Sequence, residues 1–349
     1  KRGRLWQAAL TLLASMFGLR GASNAASCNG VMSACERASQ WHAALASLGA
    51  APELHVAPDV VSYTASASAC ARAARWHSAL SLLDAACKAG ITLDVISCSA
   101  AVSGCEKAGR WRFALDLLYS MRKQRVAPDV IVCSAATSAC EKGGHWLLAL
   151  VLFSALPLFH LKPDVICCSA AVSACEKTGR WQSALFLLGS HSGSPDAISC
   201  NAAISACEKG GRWTAALSVL GSMPRLRLAP DVFTRSAAIS ACGPAAQWPL
   251  ALALLRSSPE RLILPNVVGC NAAASACEKG GPWPFAVSLL RFMCVARIKP
   301  DSVSCNAAIS ACENDGQWQA ASALLASMPE FHASPTVVSC SSAISACEK

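Results

Sequence analysis

Apolar and small residues recur along this chain with the period of a helix, and the helices recur with a longer period. Take Val95–Asp129 with Val95 as position 1. Cys98, Ala101, Val102 and Cys105 then fall at positions 4, 7, 8 and 11, the i, i+3, i+4, i+7 spacing of one helical face. Ala108-Gly109 breaks the pattern. A second helix follows with Trp111, Ala114, Leu115 and Leu118 on one side. Val126, Pro128 and Asp129 close the unit, and Asp129 is placed to cap the next helix.

The tryptophans set the longer period. Trp6, Trp41, Trp76, Trp111, Trp146 and Trp181 stand 35 apart, Trp213 follows after 32, and Trp248, Trp283 and Trp318 resume the spacing of 35. A fixed period of this size signals stacked structural repeats and overrides a domain count based on length. The expected layout is a partial repeat, its second helix, over 1–24. Nine repeats follow over 25–59, 60–94, 95–129, 130–164, 165–196, 197–231, 232–266, 267–301 and 302–336, then a partial repeat, its first helix, over 337–349. The three-residue deletion is placed in the tail around Gly189–Pro195. One helix pair cannot bury its apolar face alone, whereas stacked pairs can. The predicted fold is all-α, a right-handed α-solenoid superhelix of helix–turn–helix repeats.

Composition narrows the chemistry. Hydrophobic residues make up 54% and charged residues 15% of the 349, which marks a core-forming chain. A net charge of +9 permits a polyanionic partner without demanding one. The 21 cysteines sort into ten at position 11 and eight at position 4, with Cys87, Cys167 and Cys294 left over. Positions 4 and 11 lie about 10 Å apart along a helix axis, too far for a disulfide, so these cysteines read as small buried hydrophobes in a reduced compartment. The tryptophans read as core anchors between helices. There is no CxxC pair, no HExxH motif and no nucleophile with a partnered histidine, so neither a metal site, a cofactor nor an enzyme is expected. Gly143–Leu161 carries no formal charge but contains Gly143, Gly144 and Pro157, and reads as a buried helix flanked by turns instead of a membrane span. The opening KRGRLWQAALTLLASMFGLRG mimics a signal peptide but follows the pattern around the later tryptophans, so it reads as half a repeat.

The phrases PDVVSYTASASACARAARW and EKGGRWTAALSVLGSMPRLRLAPD, with a 35-residue unit ending in Pro-Asp, resemble the pentatricopeptide repeat family over essentially the whole chain. The chain departs from the family at position 4, where Cys replaces the usual aromatic except at Tyr63 and Arg235. The resemblance implies a single-stranded RNA binder that reads one base per repeat, acting in a mitochondrion or chloroplast on transcript processing, stabilisation or translation. The expected molecule is a monomer that binds no membrane, with room for protein partners or a further domain.

By the same resemblance, position 5 and the last residue of each repeat read the base while position 2 wedges it. Asn29 with Asp59 implies U; Thr64 with Asp94, Ser99 with Asp129, Ser134 with Asp164 and Ser169 with Asp196 each imply G. Asn201 with Asp231 implies U, Ser236 with Asn266 implies A, Asn271 with Asp301 implies U, and Asn306 with Thr336 implies a pyrimidine. The implied target is 5′-UGGGGUAU followed by U or C. The wedges are Val61, Ile96, Ile131, Ile166, Ile198, Phe233, Val268 and Val303. The chemistry is ordinary: an acceptor-only Asp suits the ring N–H of uracil and guanine, and an Asn amide suits the bare ring nitrogen of adenine and cytosine.

Simpler roles stand beside these. The closing Asp is also a helix cap, worth about 1 kcal/mol. Arg37, Arg72, Lys107, Lys142, Lys177, Lys209 and Lys279 recur at position 13, either as a stripe of phosphate contacts or as charge-balanced helix ends next to Glu. The repeat 232–266 has Gly243-Pro244 in place of Glu-Lys and Arg235 on the expected core face, which makes it the weak point of the array. The alternative function is a protein–protein interaction scaffold of tetratricopeptide-like α-solenoid type.

Overall fold

A computed structural model describes residues 5–18, 25–52, 56–92, 94–124, 126–190, 195–256 and 265–348. Among them the chain forms twenty α-helices and no strand. First helices span Ala25–Arg37, Val60–Arg72, Val95–Lys107, Val130–Lys142, Val165–Lys177, Ala197–Lys209, Val232–Cys242, Val267–Gly280, Ser302–Asn314 and Val337–Glu348. Second helices begin at each tryptophan, as in Trp76–Lys88, Trp111–Lys123, Trp213–Ser222 and Trp283–Val295; the N-terminal one spans Leu5–Gly18. The all-α stack of helix pairs expected from the period is the observed fold. The tail at Gly189–Pro195 falls largely outside the described residues.

Two compact units divide the chain, 1–174 and 175–349. Within each, first helices pack on the first helices of adjacent repeats, and second helices pack on the first helices of their own and the following repeat. The sequence explains the closeness of this packing. Position 11 is Cys in nine complete repeats, from Cys35 to Cys312, and every one is fully buried. Position 20, on the second helix, is Ala in all nine (Ala44, Ala79, Ala114, Ala149, Ala184, Ala216, Ala251, Ala286 and Ala321), each with no exposed surface. Small side chains at both positions let helices approach without leaving voids. Larger residues fill the remaining space at position 27, where Met121, Leu156, Met223, Met293 and Met328 are buried.

Both helices of a repeat end in the same closure. The N–H of position 16 bonds the carbonyl of position 11 (Arg212 to Cys207, 2.9 Å) and that of position 15 bonds position 12 (Gly211 to Glu208, 3.0 Å). This is the Schellman motif, and its left-handed residue is position 15. Gly109, Gly144, Gly179, Gly211 and Gly316 occupy that site with φ between 64° and 74°.

Three expectations need correction or refinement. The uncharged stretch Gly143–Leu161 is not a buried helix: Trp146–Ala155 buries only Ala149, and Leu147 and Val151 are more than half exposed. It is an outer helix with one covered face. No helix among the described residues is long and apolar enough to cross a membrane. The tryptophans are not enclosed core residues: nine of them pack against the buried core between helices from half-buried positions, and Trp318 is 52% exposed. Each sits at the start of a second helix, and Trp41, Trp76 and Trp181 meet the turn of the following repeat. Arg75 lies over Trp41 at 4.7 Å, Arg110 over Trp76 at 5.2 Å and Arg212 over Trp181 at 5.1 Å, cation–π pairs between neighbouring repeats. Arg235 is half-buried and not part of a closed core face, and its helix Val232–Cys242 runs 11 residues against 13 in most others.

Seventeen cysteines are buried as free thiols, while Cys87, Cys294, Cys340 and Cys347 are exposed. Burial pushes the thiols of Cys70, Cys105, Cys207 and Cys277 up to about 11, further from the reactive thiolate. A thiol-specific chromogenic reagent at pH 8 should therefore titrate four thiols quickly in the native chain and all 21 only in denaturant. Rapid native titration of many more would show that the position 11 packing is wrong.

Candidate nucleic-acid interface

A first helix has neighbours on both sides and its second helix behind it, so one stripe remains open. Positions 2, 5, 9 and 13 follow the i, i+3, i+4 rule and share that stripe. Position 2 is its most conspicuous member. Val61, Ile96, Ile131, Ile166, Ile198, Phe233, Val268 and Val303 are all between 53% and 64% exposed. A β-branched or aromatic side chain left in water at the same point of eight helices is a row, not scatter.

The position 5 residue and the last residue of the repeat meet in six of the nine repeats. Asn29 donates its amide to both carboxylate oxygens of Asp59 at 3.1 and 3.0 Å, and Asn271 does the same to Asp301 at 3.1 and 2.9 Å. Asn201 reaches Asp231 Oδ2 at 3.4 Å, Ser134 donates to Asp164 at 2.9 Å, Ser236 to Asn266 Oδ1 at 2.8 Å, and Asn306 to Thr336 at 3.1 Å. Thr64 and Ser99 instead turn back onto their own helix, donating to the carbonyls of Val60 and Ile96 at 2.7 and 2.8 Å, so they are not drawn to Asp94 and Asp129. Ser169 donates to the Ile166 carbonyl; its partner Asp196 belongs to the other unit.

The last residue caps the next helix at the same time. Asp59, Asp94, Asp129, Asp164, Asp196, Asp231 and Asp301 each accept the N–H three residues on at 2.7–2.9 Å, always through Oδ1. Asn266 caps in the same way, accepting from Gly269 at 2.8 Å. Because Asn266 Oδ1 takes both that bond and the Ser236 hydroxyl, its amide N–H groups face outward as donors. Asp231 is the mirror case: Oδ1 caps, and Oδ2 faces Asn201 as an acceptor.

Position 3 of the following repeat is a member of the site that the repeat pattern did not single out. Ser62 donates to Asn29 Oδ1 at 2.6 Å and Thr234 to Asn201 Oδ1 at 2.5 Å, fixing which end of the amide faces the aspartate. The signal was present in the sequence. All four Asn at position 5 of complete repeats (Asn29, Asn201, Asn271, Asn306) precede a hydroxyl at position 3 of the next repeat (Ser62, Thr234, Ser304, Ser339). Of the five hydroxyl readers, Ser99, Ser134 and Ser236 precede Val132, Cys167 and Gly269, while Thr64 and Ser169 precede Ser97 and Ser199, which bond the capping Asp94 and Asp196. An amide oxygen needs a donor, and a serine reader has no such oxygen. Ser304 spends its proton on Asp301, leaving Asn271 Oδ1 without a partner among the described residues. Position 9 also escaped notice, although it is Ser in every first helix from Ser33 to Ser345.

The basic residues at position 13 are engaged across repeats. Lys142 pairs with Glu106 at 3.1 Å, Lys209 with Glu176 at 3.2 Å and Arg72 with Glu36 at 3.7 Å, each Glu being position 12 of the preceding repeat. Lys107 donates to the Ala71 carbonyl at 3.3 Å. Arg37, Lys177 and Lys279 are exposed. The charge balance read along one helix is thus a ladder between helices. Burial pushes Glu208 and Glu278 up, and the Ser240 and Ser310 hydroxyls at position 9 of the next repeat oppose it. A groove of 240 Å³ opens on this face between Ile96, Ser99, Ser103, Lys107, Ser68 and Arg72. Among the described residues no cluster of His, Cys, Asp or Glu could hold a metal.

Burial raises the carboxyls of Asp59, Asp231 and Asp301, but the capping N–H, the Asn amide and the position 3 hydroxyl together outweigh it, and all three sit below their ordinary value. A lowered folded pKa gives stability that is complete above the unfolded value, about 3.9, and lost as pH falls through the folded value. The thermal midpoint should therefore hold from neutral pH to about 5 and drop as the medium approaches pH 3. Asp301→Ala should cost about 1 kcal/mol at neutral pH, and Asp301→Asn, itself a good cap, much less; circular dichroism melts of the two variants check it.

Comparison with known proteins agrees with this architecture. A pentatricopeptide repeat domain model matches residues 81–142 and 288–349, and a PPR repeat model matches 198–228. No curated protein matches the chain. Among solved structures, the pentatricopeptide repeat protein PPR10 from maize is similar at TM-score 0.51 and 20% identity, over 98% of this chain and 59% of that one. The chain thus spans well under two thirds of that protein. PPR10 in complex with an 18-nt psaJ RNA element gives TM-score 0.44 and 19% identity over 93% of this chain and 51% of that one. With the 35-residue period and the family models falling on three separate stretches of it, the chain belongs to the pentatricopeptide repeat family.

Proposed function

We propose that this chain binds single-stranded RNA sequence-selectively, one base per repeat, and serves in processing, stabilising or translating transcripts in a mitochondrion or chloroplast. The observation that carries the reading is the row of exposed apolar position 2 side chains, each on the helix that also presents a position 5 reader. A base has apolar faces and a polar edge. The row offers the faces a place to pack, and stacking on aromatic platforms is worth roughly 1–3 kcal/mol per base; β-branched wedges give less, with Phe233 the strongest.

The polar edge meets the pair. In the free chain the readers bond each other, so a bound base exchanges one hydrogen bond for another, a net term of about 1 kcal/mol. Affinity then comes from packing and phosphate, and selectivity from the cost of a mismatched edge. Asp231 presents an acceptor to an N–H edge, and Asn266 presents donors to a bare nitrogen. The target read in this way is 5′-UGGGGUAU followed by U or C. The chain acts as a monomeric binder, and no catalytic step is assigned to it.

The test is equilibrium binding of UGGGGUAUU, of its permutation and of the same sequence as DNA, at two salt concentrations, with the G run kept unstructured in lithium buffer. Equal affinity for the permuted RNA would overturn the code. Asn201→Ser should move preference at the sixth base from U toward G by about 1–3 kcal/mol, the usual size of direct readout. Thr234→Val, which removes the hydroxyl holding Asn201 Oδ1, should lower selectivity at that base while leaving the other eight unchanged. A uniform loss at all bases would instead mark Thr234 as structural only.

A further inference from the structure

Each repeat has two left-handed corners. One is position 15, where the described residues are mostly glycine. The other is position 31, which closes the second helix with the same bonds: Leu228 N–H to the Met223 carbonyl at 2.9 Å and Arg227 N–H to Pro224 at 3.0 Å. Glycine is what such a corner selects, because an L side chain brings Cβ against the next carbonyl. The chain follows that rule at position 31 only with Gly90 (φ 73°) among the described residues. The others are His160 (57°), Arg227 (58°), Arg297 (56°) and His332 (59°). By sequence alone, Arg20, His55 and Arg125 occupy the same place. Histidine is enriched at positive φ, but arginine is not. At position 15 the left-handed residue is glycine or, at Ser39, Ala74 and Ala246, another small residue, whereas at position 31 four of the five described residues are His or Arg.

In the unit 175–349 the corner residues have basic company. Arg225 stands two residues before Arg227, and Lys299 two after Arg297. Arg225, Arg227, Arg297, Lys299 and His332 are all exposed, and none makes an ion pair among the described residues. The acidic groups on these loops are Glu330 and the capping Asp231 and Asp301. This edge differs from the position 13 row in place as well as in pairing. Position 31 lies four residues before the capping residue of the next first helix. Position 13 lies at the other end of such a helix, about 18 Å away for twelve steps of 1.5 Å.

We propose that this loop edge is a second, sequence-independent binding surface, which takes the phosphodiester backbone of a nucleic-acid segment lying outside the base-reading groove. Guanidinium groups match phosphate bidentately. Arg227 and Arg297 lie two repeats apart, with Leu262 at the equivalent position between them, so at roughly 8–10 Å per repeat a backbone running along the edge meets them about 16–20 Å apart. Exposed apolar residues also stand near these loops, among them Phe292, Val295 and Val337, so an acidic protein is the competing occupant that the test below has to separate. The proposal rests on the RNA reading only for the identity of the polyanion.

The variant Arg227→Gly/Arg297→Gly relieves both corners, so loss of folding does not confound it. The probes are the nine-nucleotide UGGGGUAUU and a 30-nucleotide RNA carrying it between unstructured flanks. The wild-type chain should bind the long RNA more tightly than the short one. The glycine variant should melt at a higher temperature, bind the short RNA within twofold of wild type, and lose about 5–10-fold on the long RNA, with a salt slope smaller by about 1.4 for two lost contacts. Arg227→Lys/Arg297→Lys should retain the wild-type binding. Unchanged affinity of the glycine variant for the long RNA overturns the proposal, as does an equal loss on the short one, which would move these residues into the reading groove. Arginine-dependent binding of polyglutamate as tight as that of the long RNA would also overturn it, in favour of an acidic protein. Failure of base reading is seen separately, as wild-type indifference to permutation of the nine nucleotides.

Discussion

Nine position 11 sulfurs and nine position 20 methyls are buried without remainder because, within each unit, first helices pack on like helices of adjacent repeats and on second helices behind them. That confinement allows little volume at the contacts: Cys and Ala fit, and anything larger would push helices apart at a cost of about 1–3 kcal/mol. It also fixes the open surface. A helix enclosed on three sides has one stripe left, and the residues at positions 2, 5, 9 and 13 are on it whatever their chemistry. The exposed wedges, the readers, the serine floor and the basic ladder follow from this packing and need no separate cause.

Capping and recognition are commonly treated as rival explanations for a conserved-looking aspartate in each repeat, and here the geometry removes the rivalry. A carboxylate has two oxygens. At Asp231 one of them accepts the Thr234 N–H at 2.7 Å while the other faces Asn201. The cap holds the side chain in one rotamer, and that rotamer aims the second oxygen at the groove. Asn266 obeys the same constraint with the opposite result, since capping consumes its oxygen and leaves the amide donors outward. The stability role therefore supplies the pre-organisation that selective binding requires.

Much of this was legible in the sequence, for a definite reason. A 35-residue period fixes which residues are equivalent, and helical spacing then sorts them by face, so the buried Cys105 and the exposed Ile96 follow from counting. What counting could not reach were contacts between repeats. The partner of Lys142 is Glu106, 36 residues away, not the adjacent Glu141 that a single-helix reading favours. Trp76 reads as a core anchor and does pack against the buried cluster around Cys98 and Val102, but the Arg110 of the next repeat that lies over its ring is a contact between repeats that counting does not reach. The left-handed corner at Arg227 has no side-chain signature at all; it emerges from a backbone angle at a place where glycine was the physical expectation.

The functional unit is accordingly the junction, not the repeat. The residue at position 5, the cap at the last residue and the hydroxyl at position 3 come from two adjacent repeats, as do the Lys–Glu ladder and the arginines over Trp41, Trp76 and Trp181. The repeat 232–266 shows how far these devices are independent. Gly243-Pro244 shortens its first helix and removes both Glu and Lys, so two rungs of the ladder lack a member, the one toward Glu208 and the one toward Lys279. At the opposite end of the same helix Asp231 still caps Thr234, and Ser236 still reaches Asn266 at 2.8 Å. In a stack where stability is a sum of nearest-neighbour terms, damage at one end of a helix stays local. The proposed readers sit at the N-terminal ends, where the caps hold them, so a change at the C-terminal end of this helix leaves their geometry intact.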